Sequence, residues 1–330
     1  MLVRQTGVRG HVVKAAIVDR YGSPEMLRFV DVPQPEPGAN EVLVRVHAVA
    51  ATSGDARIRA ARFPAGFALL GRLALGLRRP RRRILGGSFS GVVESVGSAV
   101  TRLRPGDEVS GMSGVRMGGY AEYLTVAADR LAVKPAGVSH DDAAGLLFGG
   151  TTALFFLRDK ARLDSGRPGR SVLVVGASGA VGTNAVQLAR HFGAAVVGVT
   201  SGANAELVTR LGAARVIDHT REDVRQGAER YDVVFDTVGA LSIASGRRLL
   251  TADGVLLLAV GSLGDAIRAR GNVAAGVSTE RREDFEFLLG LVAAGELTVV
   301  VDRVYDLADA AEAHARVDTG HKVGNILLHP

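Results

Sequence analysis

Two rhythms of apolar residues divide the chain. Up to about residue 138, short segments alternate or cluster β-branched residues, as in VLVRVHAVA (42–50), SGVVESVG (90–97) and AEYLTV (121–126). Turn signals separate them: PEPGAN at 35–40, RPGD at 104–107 and GG at 118–119. This is the pattern of a β-rich domain. From about 171 to 261, short apolar strands alternate with amphipathic helices, which predicts βαβ units around a parallel sheet buried on both faces. The predicted strands are Ser171–Val175, Ala195–Thr200, Arg215–Ile217, Tyr231–Asp236 and Val255–Val260, with helices at Val181–Phe192, Asn204–Leu211 and Leu241–Leu250. Gly193 and Gly212 stand just past two of these helices, where a left-handed cap is usual. Beyond them the pattern predicts a helix near Arg282–Ala294, a strand near Val299–Val301, a helix near Leu307–Val317 and a strand at Asn325–Leu328.

The segment SVLVVGASGAVGTNAVQLARHFGA joins the first of these strands to the first helix through Gly176, Gly179 and Gly182. Glycines at such a turn let backbone approach a pyrophosphate, and the helix N-terminus offers unpaired N–H groups and a favourable dipole. Set between strand and helix, the GxxGxxG spacing predicts a nicotinamide dinucleotide site over Gly176, Ser178, Gly179, Ala180, Val181 and Gly182. An NAD site usually places an acid at the end of the next strand. Here that strand ends in Thr200, Ser201 and Gly202, so NADPH is expected rather than NADH, with Thr200, Ser201 and Arg221 near its 2′-phosphate.

Length and composition narrow the class. A chain of 330 residues, 47% hydrophobic and 22% charged, is long enough for two domains with substantial cores. No run approaches the roughly 20 apolar residues of a membrane helix, so no membrane partner is expected. The opening MLVRQTGVRGHVVKAA has no apolar core or cleavage site, and a cytoplasmic location follows. There is no cysteine, which excludes disulfides, thiol catalysis and thiolate metal ligands. The net charge is +6, and only Lys14, Lys134, Lys160 and Lys322 among the 40 basic residues are lysine. One dense cluster, Arg78, Arg79, Arg81, Arg82 and Arg83, has no interleaved aromatics; a nucleic-acid groove is the alternative it raises.

An ordered set of segments resembles the medium-chain dehydrogenase/reductase superfamily, in the zinc-independent branch that includes the quinone oxidoreductases. The set is KAAIVDRYGSPEMLRFVDVPQPEPGANEVLVRV (14–46), ILGGSFSGVVESVGSAVTRLRPGDEV (84–109), GGYAEYLTV (118–126), FGGTTAL (148–154), FDTVG (235–239) and HKVGNILL (321–328). The resemblance implies an α/β fold in which a Rossmann doubly wound parallel sheet is inserted into a GroES-like β-rich catalytic domain. The expected parts are 1–138 (catalytic domain, first part), 139–285 (Rossmann domain) and 286–330 (catalytic domain, C-terminal part). It also implies a homodimer, and a cleft in which Thr152 contacts the nicotinamide end, Asn325 faces the nicotinamide, and Val238 and Gly239 after the fourth strand and Val260, Gly261 and Ser262 after the fifth bind the cofactor.

The departures are equally specific. Where zinc alcohol dehydrogenases of the superfamily carry GHE, the histidine and glutamate positions read Gly87 and Ser88. The eight histidines form no ligand pattern, so no metal is expected. The branch's VNPxD-like segment reads AATSGD (50–55), placing Thr52 where the asparagine usually stands. Thr52 is therefore a candidate to donate to a substrate oxygen, and Phe63, Phe67 and Phe148 are candidate apolar walls. No side chain stands out as general acid; Thr52 and Tyr120 are the candidates, with water as the other source of the proton. The function expected is metal-free hydride transfer from NADPH to a quinone or an α,β-unsaturated carbonyl. The alternatives are a non-catalytic dinucleotide- or nucleic-acid-binding protein and a metal-dependent alcohol dehydrogenase.

Overall fold

A computed structural model describes residues 11–63, 65–166 and 169–330. The basic opening, residues 1–10, and Pro64 of the ARFPAGF segment lie outside the described residues. The chain begins with an antiparallel pair, β1 (Val12–Val18) and β2 (Leu27–Pro33). Then come β3 (Glu41–Ala50), α1 (Ser53–Ala60), α2 (Ala68–Leu75), β4 (Ser88–Val96), β5 (Glu108–Met112), β6 (Tyr123–Ala127) and β7 (Leu131–Val133). Buried positions alternate with partly buried ones in β6, following its YLTVA pattern, while β3 is mostly buried because the domain core covers Val42, Val44, Val46 and Val49 and the helix that follows the domain packs on Ala48 and Ala50.

Helix α3 (His140–Leu154) crosses from this domain to the next, packing on β3, β4 and β5 and on the helices that follow. Ser139 caps it by accepting from the Asp142 N–H. The second domain runs β8 (Ser171–Val175), α4 (Ala180–His191), β9 (Ala195–Thr200), α5 (Ala205–Arg210), β10 (Arg215–Asp218), β11 (Tyr231–Asp236), α6 (Ile243–Arg247), β12 (Leu250–Leu258), α7 (Leu263–Arg268), β13 (Val273–Ala275) and α8 (Arg282–Ala293). Its six strands are all parallel in the order β10-β9-β8-β11-β12-β13. The order reverses between β8 and β11, where the carboxyl ends open a crevice. The expected parallel sheet is thus present, with α7 and β13 added to it. β12 starts at Leu250, earlier than the predicted Val255.

The chain returns through β14 (Val301–Asp306), α9 (Ala310–Asp318) and β15 (Asn325–His329). β15 pairs with β14 in parallel and with β3 antiparallel, Leu327 opposite Ala50 and Leu328 opposite Val49. The last strand therefore completes the sheet β14-β15-β3-β4-β5-β7 of the first domain. The expected boundary at 286 falls inside α8, whose Phe285, Leu288 and Leu289 share an apolar core with β8 and β11. Among the described residues no helix is long and apolar enough to cross a membrane.

Candidate active site

The glycine loop takes its shape from backbone crowding. Gly176 has φ +83°, and a Cβ there would lie 2.5 Å from Val238 Cγ1 and 2.7 Å from Thr237 Oγ1. A Cβ on Gly182 would lie 2.1 Å from the Gly176 carbonyl oxygen, so α4 sits flush on the turn. Gly179 is the N-cap of α4, and no side chain caps the helix. A Cβ on it would meet only the Gly176 oxygen, at 3.5 Å. The first turn, Ala180, Val181 and Gly182, therefore presents its N–H groups beside open space, as an anion requires. Gly149 explains the FGGTTAL segment: a Cβ there would lie 2.3 Å from the Ala180 carbonyl oxygen. Only glycine lets α3 approach the start of α4 this closely, and the approach carries Thr152, one turn further along α3, toward the loop.

At the end of β9 the polar groups form one cluster. Thr200 Oγ1 donates to Ser178 Oγ at 2.8 Å. Asn204 Nδ2 reaches Ser178 Oγ and Ser201 Oγ, both at 3.2 Å. No acid ends β9, but one arrives from the neighbouring strand. Asp218 lies opposite Thr200 in the β10–β9 register, and its Oδ2 is 2.5 Å from where a Cβ on Gly202 would stand. Hydrogen bonds from the Thr220 hydroxyl and N–H hold its carboxyl below the usual range, so it is ionised at neutral pH. The exposed Arg221 sits beside it, Nε 3.6 Å from Oδ2, and offsets part of its charge.

Three further loops border the glycine loop or one another. After β11, the buried Asp236 accepts from the N–H groups of Val238, Gly239 and Leu241 at 3.0, 2.8 and 2.7 Å, which fixes a loop that leaves Val238 exposed. After β12, Val260 and Gly261 lead to Ser262, which caps α7 in a reciprocal box with Asp265. The third loop is the C-terminal return: the Gly324 N–H donates to the Ser178 carbonyl at 2.8 Å, and Gly324 bridges to Gly179. Asn325, expected to face the nicotinamide, follows directly after Gly324 in this return. It is 3% exposed, and its amide nitrogen donates to the Val300 carbonyl at 3.0 Å. Lys322, partly buried in the same segment, donates its ammonium to the Gly324 carbonyl next to the glycine loop. Desolvation in this crowded position lowers its pKa to about 8. Lys322 stands in the KVGN string and Asp218 in the DHTRE string, and neither position carries a spacing that marks it in sequence.

Thr52 does not present a free hydroxyl. It is the N-cap of α1, and its Oγ1 lies 2.5 Å from Asp55 Oδ2 while accepting from the Asp55 N–H at 3.1 Å. Asp55 is buried, and its Oδ1 accepts from the Gly86 N–H at 3.0 Å. Burial without a cationic partner raises its pKa. The Phe148 ring packs beside this helix start, 3.5 Å from a Cβ position on Gly54. Phe63 lies under α2, its ring against Gly71, and Phe67 is the residue preceding α2. Gly87, at the position of the zinc-ligand histidine, has open space around its Cβ position, and Ser88 Oγ donates to the Ala144 carbonyl.

Tyr120 is not available as a proton donor. It is fully buried in the core of the first domain, pressed against Gly86, and its hydroxyl pairs with His314 Nε2 at 2.8 Å. His314 Nδ1 accepts from Arg59 Nε at 3.1 Å, and Arg59 also pairs with Asp318. A surface depression of about 760 Å³ beside Lys160, Arg170 and Asp232 lies at the amino ends of the strands, away from the glycine loop.

Residues 38–136 match the alcohol dehydrogenase GroES-like domain, and residues 211–328 match a family described as zinc-binding dehydrogenase. The chain is 30% identical to the NADPH-dependent alkenal/one oxidoreductase of Arabidopsis thaliana, over 96% of this chain and 80% of that one. It is 29% identical to a quinone oxidoreductase of Pseudomonas aeruginosa, over 94% of this chain and 97% of the other. The chain belongs to the medium-chain dehydrogenase/reductase superfamily, in its quinone oxidoreductase-like branch. Its fold matches the quinone oxidoreductase of Coxiella burnetii with a TM-score of 0.87 at 29% identity, covering 97% of this chain and all of that one. Within the superfamily the zinc ligand set does not fit this chain. It has no cysteine, and glycine and serine occupy the histidine and glutamate positions of GHE.

Proposed function

We propose that this protein is an NADPH-dependent reductase of quinones or α,β-unsaturated carbonyls that works without a metal. One observation carries the reading: the uncapped N-terminus of α4, flanked by the hydroxyl cluster of Ser178, Thr200 and Ser201 where β9 ends without an acid. The names of the Arabidopsis and Pseudomonas relatives support the reaction class.

The dinucleotide supplies the hydride when bound. The chain's own groups then have separable tasks. The first turn of α4 and Lys322 hold the pyrophosphate. Ser201, Asn204 and Arg221 hold the 2′-phosphate, and Asp218 opposes it. Thr152, Val238, Gly239, Val260, Gly261 and Ser262 enclose the nicotinamide. Phe63, Phe67 and Phe148 provide an apolar wall for a flat acceptor. Thr52 and Asp55 fix the start of α1 rather than bond to substrate. Because the Tyr120 and Thr52 hydroxyls are both committed, the proton reaches the acceptor oxygen or carbon from water.

The protein acts as a homodimer in the cytoplasm in this reading, pairing through the open edge at β13. Light scattering and cell fractionation test those two points. The activity is tested by NADPH consumption against a panel of quinones, enals and enones, with metal analysis of the purified protein. Cofactor binding without turnover of any acceptor would sink the reductase reading, and a stoichiometric metal would sink the metal-free part.

A further inference from the structure

Helix α2 is an apolar helix that the fold leaves uncovered. None of its residues is buried. Leu69, Leu70 and Leu73 are 66%, 53% and 49% exposed, and Leu77 just beyond the helix is 58% exposed. At 100° per residue, Leu69, Leu73 and Leu70 fall on one face. Gly71, on the opposite face, packs on the Phe63 ring, so the leucines point outward by construction. After Gly76 the chain folds back along the helix: the Arg81 N–H donates to the Leu75 carbonyl at 2.7 Å, and the Arg81 guanidinium reaches the Ala74 carbonyl. Arg72 stacks over Tyr21, whose hydroxyl donates to the Gly76 carbonyl. The returning segment carries Arg78, Arg79, Arg81, Arg82 and Arg83, all exposed. Arg83 pairs with Asp19; among the described residues the other four have no carboxylate partner.

We propose that α2 and this arginine segment form a docking surface for an anionic lipid membrane. Exposed leucines beside unpaired arginines are what an interfacial helix needs: apolar area for the acyl boundary and cations for the headgroups. The earlier expectation of no membrane partner rested on the length needed to span a bilayer, which does not bear on a helix lying on its surface. Nucleic acid would use the arginines and leave the leucines idle, and residues 68–83 offer no aromatic for base stacking. A second copy of this chain docked about a two-fold would set the arginines against their own copies. The surface also adjoins the crevice. The Leu263 N–H at the start of α7 donates to the Ala65 carbonyl at 2.9 Å, so the segment leading into α2 meets the loops that follow β12. Docking would turn the mouth of the crevice toward the bilayer, where an acceptor with an apolar tail dissolves.

The test is sedimentation of the full chain with phosphatidylcholine vesicles, with and without phosphatidylglycerol. It needs neither cofactor nor turnover, so its failure is separate from failure of the reductase reading. The expected result is binding to the anionic vesicles only, weakened by salt. Replacing Arg78, Arg79 and Arg82 by Gln should weaken it about fivefold per arginine, and Leu69→Gln with Leu73→Gln should weaken it at unchanged thermal stability. Turnover of a water-soluble quinone should be the same in all variants. Three results overturn the proposal: no binding to anionic vesicles, binding to duplex DNA alone that the leucine variant does not affect, or a dimer that the leucine variant dissociates with no vesicle binding.

Discussion

Thr52 and Asp55 cap the same helix from opposite ends of one hydrogen-bonded box, and that bond occupies the hydroxyl that sequence pattern assigns to the substrate. Thr52→Ala should therefore cost stability of about 1 kcal/mol while changing kcat/KM on the best acceptor little. A loss of more than about tenfold in kcat/KM with stability unchanged would mean the hydroxyl serves the substrate after all.

Cofactor choice rests on a balance between two neighbouring charges. Asp218 faces the cluster at the end of β9, and Arg221 sits against it. Removing the anion with Asp218→Asn should tilt the KM ratio further toward NADPH. Arg221→Gln should tilt it toward NADH by up to about fivefold, the range of an exposed ion pair. Steady-state kinetics with both cofactors decides; an unchanged ratio in both variants would remove this pair from recognition.

The glycine contacts give a packing prediction. A methyl group on Gly149 has no room beside the Ala180 carbonyl, because both partners are backbone or helix-borne. Gly149→Ala should push α3 off α4, lowering stability by about 1–3 kcal/mol and weakening dinucleotide binding together with it. Calorimetry that showed wild-type affinity in this variant would mean the α3–α4 approach does not shape the loop.

Acid should destabilise the protein through His314. Burial and the Arg59 charge lower its pKa to about 3, against about 6.5 when unfolded. It is neutral in the fold, with Nδ1 accepting from Arg59 and the proton on Nε2 toward Tyr120. The unfolded chain takes up a proton that the folded chain refuses, so stability falls as pH drops from about 6.5 toward 3, by about 1.4 kcal/mol per unit. Asp55 works in the opposite sense: burial raises its pKa, so protonation at low pH relieves a cost. Comparing urea unfolding of the wild type and His314→Gln across this range isolates the histidine, and parallel slopes would refute the assignment.

Lys322 makes dinucleotide affinity sensitive to alkali. Its ammonium is fully present below about 8 and is lost above it. The dissociation constant for NADPH should rise through that range by at most about tenfold per pH unit, and Lys322→Met should bind weakly with a flat profile. A sloping profile in the methionine variant would place the titration elsewhere.

Much of this was readable in the chain because it is local. The run from Ser171 to His191 contains strand, glycine turn and helix in one continuous stretch, so periodicity and spacing are enough. Asp218 is not legible from the end of β9, because the acid comes from its parallel neighbour β10 through a pairing that sequence order does not display. The burial of Tyr120 is hidden for a similar reason. A GGY turn looks exposed until His314, almost two hundred residues later, packs over the hydroxyl. The bond from Lys322 to the Gly324 carbonyl forms at the start of β15, where that strand meets β14, a pairing that sequence order does not display. The leucines of α2 follow the spacing of a buried helix, and only the finished surface shows that nothing covers them.

The pairing of β15 with β3 bears on how the protein is made. The parallel sheet from β8 to β13 draws all its strands from one uninterrupted stretch, so it can close as soon as that stretch leaves the ribosome. The first domain cannot. Its central strand is synthesised early, yet the neighbour at Leu327 and Leu328 arrives roughly 15 to 55 s later at ordinary rates of translation. During that interval the end of β3 at Val49 and Ala50, beyond its pairing with β6, stays open beside its nascent neighbours. The protein should therefore depend on a chaperone while being translated, and removing β15 should leave a folded dinucleotide domain attached to an aggregating one.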